Sequence, residues 1–320
     1  MPGAKGLVPY ELAHKWMKNL GIRPNIILTQ HEKGRNTMTK KIAVINDLSG
    51  FGRCSLTAAI SVISSMGIQA CPLPTAILTA QTGYPHYYLD DYTDKMDIYR
   101  QEWQKMGQHF DGIYTGFVAS EAQIDQIFHF IDTFYTSDTF LLVDPVMGDD
   151  GIKYDMFTPE LLRKMKLLVS EADIITPNLT ELCLLTDANY DVLADIEDPH
   201  ILIDVIGELA STLLSGEKEI IVTGIHCKDA QGRKMMGNLY ISKNSRKLFT
   251  FPHVGGSYSG TGDLFASCIA AGKCRGDEIP ELIQLAGTFL EQAIKDSAEE
   301  NVPYPDGTNY EKYLHMLIKK

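Results

Sequence analysis

The sequence Val254-Gly255-Gly256-Ser257-Tyr258-Ser259-Gly260-Thr261-Gly262-Asp263-Leu264-Phe265-Ala266 joins a glycine-rich loop to an apolar segment that predicts a helix. Glycine lets a backbone approach a ligand closely, and the first N–H groups of a helix lack partners within it. Such a junction attracts anions such as phosphate. Asp263 lies at the junction, where a carboxylate beside a phosphate suits a general base in phosphoryl transfer. A glycine turn in which Asp263 caps the helix is the alternative.

Short apolar strands alternate with amphipathic helices through the rest of the chain. The predicted strands are residues 42–45, 69–73, 75–78, 112–117, 140–143, 173–175 and 219–223, with a hairpin of 238–242 and 247–251. The predicted helices are residues 56–66, 95–109, 121–135, 158–170, 179–186, 202–214, 264–272 and 282–298. This alternation predicts an α/β domain with a mostly parallel sheet and helices on both faces. In such sheets, ligands bind beyond the carboxyl ends of the strands.

Composition and charge limit the class of protein and its partners. The chain has 320 residues, of which 44% are apolar, so it can bury a sizeable core. Its net charge of −12 argues against nucleic acid or an anionic membrane as a partner. The six cysteines contain no C-x-x-C pair, which indicates free thiols in a reducing compartment and favours the cytoplasm.

The first 38 residues differ from the rest, because proline and glycine interrupt them repeatedly. We expect residues 1–38 to be a leader or extension outside the fold, and residues 39–320 to form a single domain. No apolar run in the sequence approaches the length of a membrane span.

A first polar cluster follows the first predicted strand, from Asn46 to Ser55. Its spacing superficially fits the dinucleotide fingerprint, in which an acidic residue about 20 positions further on holds the ribose. The region near Ala70 has no such acid, which argues against a nicotinamide or flavin site and a dehydrogenase. Asp47 is therefore predicted to face a polar ligand at the end of the strand, with a helix-capping role as the alternative.

A second cluster, residues 79–88, combines hydrogen-bonding side chains with tyrosines. Gln81 and Thr82 offer donors and acceptors, and Tyr84 offers a flat face, so the cluster suits an aromatic ligand that forms hydrogen bonds. The alternative is a tyrosine-rich turn on the surface.

Three further clusters end later strands. Asp144, Asp149 and Asp150 lie on one loop and suggest a hard cation, or else an acidic solvated turn. Asn178 and Glu181, three residues apart, fit either a helix capping box or a magnesium–phosphate contact. Thr223 and Gly224 could meet a nucleotide. The chain has no Walker A sequence, so phosphate chemistry here needs another cradle, such as a helix-end anion hole with an aspartate base.

The order of these motifs resembles the ribokinase-like superfamily, and within it the kinases that phosphorylate pyridoxal, pyridoxamine and pyridoxine. The resemblance covers about residues 40–300 and rests on residues 82–84, 114–117, 144–149, 172–178 with Glu181, and 260–266. It implies a three-layer α/β/α domain with a central, mostly parallel sheet and at most a minimal lid.

The resemblance also implies a role for each matching residue. Asp263 would be the base that activates the substrate's hydroxymethyl oxygen, and Gly260, Thr261 and Gly262 would form the anion hole around the transferring phosphate. Asp144 and Glu181 would organise Mg²⁺. The nucleotide contacts would be Asp149, Tyr154, Thr176, Asn178, Thr223, Gly224 and Thr261. The vitamer would contact Asp47, Gln81, Thr82, Tyr84, Phe117 and Asp263.

The implied reaction is ATP-dependent phosphorylation of a B6 vitamer, with Mg²⁺, a monovalent cation such as K⁺, and a homodimeric enzyme. Two residues depart from the familiar pyridoxal kinases, which carry Ser at the position of Asp47 and His at that of Gln81. Both departures resemble the hydroxymethylpyrimidine kinases of thiamin synthesis, which are the main alternative. A catalytically idle vitamin- or nucleotide-binding protein is a second alternative, although such a protein has no need to keep Asp263, Asn178 and Glu181 together.

Overall fold

The predicted first strand is a buried interior strand of the sheet. The computed structural model describes residues 39–196 and 198–319, and its strand β1 (Lys41–Ser49) is buried over most of its length. A strand covered on both faces is apolar without alternation, as Ile42 to Ile45 are.

The other predicted strands are present with revised bounds, together with three short strands, at residues 89–91, 148–149 and 152–153, that were not predicted. They are β2 (Gln69–Leu78), β3 (Leu89–Asp91), β4 (Gly112–Thr115), β5 (Phe140–Val143), β6 (Gly148–Asp149), β7 (Ile152–Lys153), β8 (Ile174–Ile175), β9 (Glu219–Lys228), β10 (Lys234–Ser242) and β11 (Ser245–Pro252). Nine of them form one sheet in the order β11-β10-β9-β8-β5-β4-β1-β2-β3. The six strands from β9 to β2 run parallel, and the antiparallel strands lie at the two edges.

Helices cover both faces of this sheet. They are α1 (Ser55–Ser65), α2 (Thr93–Lys105), α3 (Glu121–Phe134), α4 (Pro159–Glu171), α5 (Leu179–Thr186), α6 (Tyr190–Ala194), α7 (Pro199–Ser211), α8 (Thr261–Arg275) and α9 (Ile279–Glu299), followed by 3₁₀ turns Tyr304–Asp306 and Tyr310–Leu317. On one face α1 packs against α8, and α8 against α9. On the other, α2, α3 and α4 pack in succession.

The strand order places a crevice between β1 and β4. The chain moves from β1 outward to β2 and then crosses back over β1 to β4. Because parallel crossovers are right-handed, this reversal puts α1 and α2 on opposite faces. The carboxyl ends of β1 and β4 therefore flank the switch point, where open α/β sheets bind ligands.

Some predicted element bounds were wrong. Residues 69–73 and 75–78 form one strand rather than two, although it contains Pro72 and Pro74. The edge strand β3 pairs only with residues 76–78, so these prolines lie beside an open edge, where a missing N–H breaks no ladder. The strand predicted at 219–223 extends to Lys228, and the helix predicted at 202–214 begins at Pro199, capped by Asp198.

Several other expectations are confirmed. The mostly parallel sheet between helical layers is the predicted fold class, and between β2 and α2 the described chain adds only the three-residue strand β3. All six cysteines are free thiols. Among the described residues, no helix combines the length and apolar character needed to cross a bilayer. The predicted leader, residues 1–38, lies outside the described residues.

Candidate active site

The glycine-rich loop and α8 form an open helix end at the crevice. Gly260 is the N-cap residue and has a left-handed φ of 82°. A Cβ on Gly260 would lie 2.2 Å from the carbonyl oxygen of Arg53, so only glycine fits. The first helical hydrogen bond runs from Leu264 N–H to Gly260 O, which leaves the N–H groups of residues 261–263 ahead of it. No described side chain caps this end, so it can receive an anion.

Asp263 occupies the third position of α8, with its carboxylate held by two donors. Asn46 Nδ2 donates to Asp263 Oδ1 at 2.9 Å, and the backbone N–H of Ser55 also donates to this carboxylate. Burial, together with the negative charge of Asp47, raises the pKa of Asp263 to about 6. A carboxylate with this pKa is ionised at neutral pH and is a stronger base than an ordinary aspartate.

Asp144 and Glu181 are two buried acids beside this helix end. Thr176 Oγ1 donates to Asp144 Oδ1 at 2.7 Å, and Asp144 Oδ2 lies 4.0 Å from where a Cβ of Gly262 would be. Burial and the nearby Asp263 charge raise the pKa of Asp144 to about 7. Burial and the charge of Asp144 raise the pKa of Glu181.

These two carboxylates fit a Mg²⁺ site, because a divalent cation would offset buried negative charges that lack a cationic partner in the hydrogen bonds they make. No group of three or more His, Cys, Asp or Glu side chains suited to a metal occurs within 39–196 and 198–319. Substrate phosphates and water would therefore supply the remaining ligands, which is usual for Mg²⁺.

The predicted capping box at Asn178 and Glu181 is confirmed. Asn178 Oδ1 accepts from Glu181 N at 2.9 Å, and Glu181 Oε2 accepts from Asn178 N at 2.8 Å. Glu181 Oε1 also accepts from Met147 N, and Asn178 Nδ2 donates to the Gly148 carbonyl. The box thus ties the acidic loop to the start of α5, and a nucleotide contact by Asn178 stays a prediction.

The other predicted nucleotide residues border the same region. Thr223 pairs with Asn178 in a parallel bridge, and Gly224 follows it with a φ of 71° and open space around its Cβ position. Asp149 is exposed on the β6–β7 hairpin. Tyr154 is half-exposed, and burial, followed by the charges of Glu181 and Asp149, raises the pKa of its hydroxyl.

Two of the predicted vitamer residues, Asp47 and Phe117, donate backbone N–H groups to Asn46, which in turn contacts Asp263. Asp47 is buried, accepts from Ser49 Oγ at 2.9 Å, and has a pKa raised by burial. Phe117 is partly buried, and its N–H donates to Asn46 Oδ1. Thr82 is exposed on its loop.

Gln81 and Tyr84 bond to a segment that the sequence did not single out. Gln81 Nε2 donates to the Pro305 carbonyl at 3.1 Å, and its Oε1 accepts from Gly83 N at 2.7 Å. Tyr84 OH donates to Asp306 Oδ1 at 2.6 Å. Both side chains thus tie their loop to the 3₁₀ turn Tyr304–Asp306, and vitamer contacts by either stay predictions.

That turn also anchors the first loop and the glycine-rich loop. Arg53 N donates to the Asp306 carbonyl at 3.2 Å, and Ser259 N donates to the Tyr304 carbonyl at 3.2 Å. Residues 303–307 read Pro-Tyr-Pro-Asp-Gly, which predicts a turn but not its place in the fold. The turn joins three loops at the site. Neither this turn nor Asn46 was predicted from the sequence to have a role there.

We expect the buried charge of Asp144 to make the metal-free protein less stable as pH rises. The Asp144 carboxyl has a pKa of about 7 in the folded state and the ordinary pKa of 3.8 in the unfolded chain, so the folded state binds its proton more tightly. The unfolding free energy therefore falls as pH rises from 3.8 to about 7. Asp144→Asn should recover on the order of 2 kcal/mol of the unfolding free energy at pH 8 and little at pH 4. Urea unfolding in EDTA at pH 4 and at pH 8 measures this change in the unfolding free energy.

Asp125→Asn is the matched control, because this acid is exposed and paired with Lys164. It should leave the pH dependence of stability unchanged. Equal stability of wild type and Asp144→Asn at pH 8 would contradict the expectation.

The class of protein follows from this architecture, since solved structures that superpose on it are kinases with a ribokinase-like fold. The pyridoxal kinase of Lactobacillus plantarum is 26% identical, with a TM-score of 0.77 over 88% of this chain and 97% of its own. The chain belongs to the phosphomethylpyrimidine kinase family, whose model matches residues 51–304. The resemblance inferred from the sequence is thereby confirmed.

Two further relatives link this family to B6 vitamers. A Bacteroides thetaiotaomicron structure assigned to the phosphomethylpyrimidine kinases is 36% identical, with a TM-score of 0.80 over 88% of this chain and 95% of its own. An orthorhombic form from the same organism, with the same assignment, contains pyridoxal. A Schizosaccharomyces pombe relative assigned as a pyridoxal kinase is 29% identical over 180 residues, and this match spans half of its length and 55% of this chain.

Proposed function

We propose that this protein is a kinase that transfers a phosphate from ATP to the hydroxymethyl group of pyridoxal, pyridoxamine or pyridoxine, in salvage of pyridoxal phosphate. The observation that carries the proposal is Asp263, a base with a pKa of about 6 at an open helix end. The pyridoxal-containing relative supports the choice of vitamer. The open helix end and the buried acids fit MgATP as the donor.

In the proposed reaction, Asp263 accepts the proton of the substrate hydroxymethyl group, which can then attack the phosphate in line. The N–H groups of Thr261 and Gly262 stabilise the negative charge that grows on the transferring group. Asp144 and Glu181 would hold Mg²⁺. When bound, this ion would offset charge on the phosphate oxygens.

The main alternative acceptor is hydroxymethylpyrimidine, which the family description favours. ATP turnover with pyridoxal, pyridoxamine, pyridoxine and hydroxymethylpyrimidine, assayed side by side, separates the two. The highest kcat/KM with a B6 vitamer supports the proposal. Turnover of the pyrimidine alone would indicate a hydroxymethylpyrimidine kinase of thiamin synthesis. Binding without turnover would support the catalytically idle binding protein.

The same assay with K⁺ replaced by a large organic cation tests the expected monovalent-cation dependence. Light scattering of the purified protein tests the expected homodimer. The cytoplasmic location stays a prediction.

Asp47 is expected to set the preference among vitamers. Its buried carboxylate, where familiar pyridoxal kinases carry serine, would favour the cationic amine of pyridoxamine or a protonated ring. We expect Asp47→Ser to lower kcat/KM for pyridoxamine relative to pyridoxal by about 10-fold, since a hydrogen bond to a charged group contributes roughly 1.5–3 kcal/mol. An unchanged ratio would remove Asp47 from the specificity of the enzyme.

A further inference from the structure

Asn46 is a fully buried polar residue for which the proposed reaction has no role so far. It lies in β1 at the switch point, and its partner Asp263 is 217 residues away in the sequence. Its Nδ2 donates to Asp263 Oδ1 at 2.9 Å. Its Oδ1 accepts two backbone N–H groups, from Asp47 and from Phe117, each at 2.9 Å.

These contacts permit one orientation of the amide. If the amide were flipped, its oxygen would face the oxygen of Asp263, and its NH₂ group would face two N–H donors. The two backbone groups therefore fix the amide so that its donor side points at the carboxylate. A hydrogen bond from a fixed donor to a charged acceptor is strong and directional.

Gly116 provides the space for this arrangement at the end of β4. A Cβ on Gly116 would lie 2.3 Å from Asn46 Nδ2 and 2.6 Å from its Cγ. Any side chain there would push the amide away from its partners. The glycine thus connects the end of β4 to the orientation of Asp263.

We propose that Asn46 is the positioning residue for the base: it fixes the Asp263 carboxylate, in its charged form, toward the substrate hydroxyl. The proposal rests on the proposed function, because it assigns Asp263 as the base. Asn46 acts through Asp263 and does not itself touch the reacting atoms.

Asn46→Asp isolates the donated hydrogen bond. The new side chain has the same shape and still accepts from Asp47 N–H and Phe117 N–H. When ionised it cannot donate to Asp263 and places a like charge beside it, and when the two carboxyls share one proton, Asp263 is no longer free to accept the proton of the substrate. We expect kcat to fall about 100-fold, the loss typical of a group misplaced by ~1 Å, while the KM for the vitamer changes little. A purely structural role would not separate kcat from KM in this way.

A double-mutant cycle with Asp263→Asn shows whether Asn46 acts through the base. If it does, adding Asn46→Asp to Asp263→Asn should lower kcat by no more than about twofold, because the base whose orientation Asn46 fixes is already lost. Full additivity of the two losses in kcat would overturn the proposal.

The same cycle measured by urea unfolding does not need turnover. Asn46→Asp should destabilise the wild type through charge repulsion, and this destabilisation should largely disappear in the Asp263→Asn background. If no B6 vitamer is a substrate, the proposed function fails, and this unfolding cycle still decides on the Asn46–Asp263 coupling. Equal destabilisation in both backgrounds would overturn it.

Asn309→Asp is the matched control. Asn309 is also buried, and its Nδ2 donates to the carboxylates of Asp296 and Glu300 away from the site. This variant should destabilise the protein equally in both backgrounds without separating kcat from KM. If Asn46→Asp does not fold, Gly116→Ala replaces it in both cycles with the same expected coupling, and additivity there overturns the proposal.

Discussion

Asp263→Asn is expected to lower kcat for the preferred vitamer by about 10²–10⁴-fold, the contribution typical of a general base. Asparagine has nearly the same shape, and its one amide oxygen can still accept from Asn46, so the site should keep most of its geometry. It cannot take the hydroxyl proton. Steady-state kinetics should therefore show a loss in kcat with a nearly unchanged KM.

The pH dependence of the wild type provides a second measure of the same base. Because Asp263 must be ionised to accept a proton and its pKa is about 6, kcat/KM should fall as pH decreases through that value. This acid limb should be missing from the residual activity of Asp263→Asn.

Asp277→Asn is the control for a lost acid beside the same helix. Asp277 follows the other end of α8 and pairs with Arg275 and Lys319 outside the site. It should leave kcat within about twofold, because its partners Arg275 and Lys319 lie at the opposite end of α8 from Asp263. A loss for Asp263→Asn as small as that of the control would exclude Asp263 as the base.

The sequence predicted the fold and much of the candidate site for a physical reason. In a parallel sheet all strands end at the same edge, so polar residues just after each strand must converge even when they are far apart in the chain. Asp144 and Thr176 each follow such a strand, and Asp47 lies among the last three residues of another. Local hydrophobic patterns reveal the strands, and the order of the strands in the sheet then determines which of these residues approach Asp263.

Residues whose roles depend on tertiary contacts were beyond this reasoning. Only the contact with Asp263 in the folded domain identifies Asn46 as a residue of the site, because a polar residue in a strand has many possible roles. The turn Tyr304–Asp306 carries a local turn signal, but its bonds to Arg53, Gln81 and Tyr84 form only once the whole domain has folded. Local propensity contains no information about such distant pairs.

The Asn178–Glu181 pattern shows a different limit. A capping box and a cation contact require the same side chains at the same spacing. The box is present, and Glu181 is nonetheless buried beside Asp144 with a raised pKa. One carboxylate can thus stabilise the start of α5 and still carry a charge that a cation would offset, so the two interpretations do not exclude each other.

The second large effect is expected from Gly260, the glycine at the end of the glycine-rich loop. Gly260→Ala combines two costs, because φ is 82° and the added Cβ would lie 2.2 Å from the Arg53 carbonyl and 2.8 Å from Cys54 Cα. Left-handed backbone costs a residue with a side chain about 1–2 kcal/mol. The clash is with backbone, so the loop and the start of α8 must move apart.

This movement should damage activity more than it damages the fold. Displacing the N–H groups of α8 and Asp263 by ~1 Å from the transferring phosphate should lower kcat/KM on the order of 100-fold. The unfolding free energy should fall by about 2–4 kcal/mol, which leaves most of the protein folded at 25 °C if its stability is typical.

Gly256→Ala, in the same loop, is the matched control. Its Cβ position has nothing within 4 Å, and its φ lies outside the left-handed region. We expect stability within about 0.5 kcal/mol of the wild type and nearly full turnover, as for substitutions away from special backbone positions. If both variants lose activity equally, flexibility of the whole loop matters. If Gly260→Ala retains wild-type kcat/KM, the transferring phosphate does not bind at this helix end.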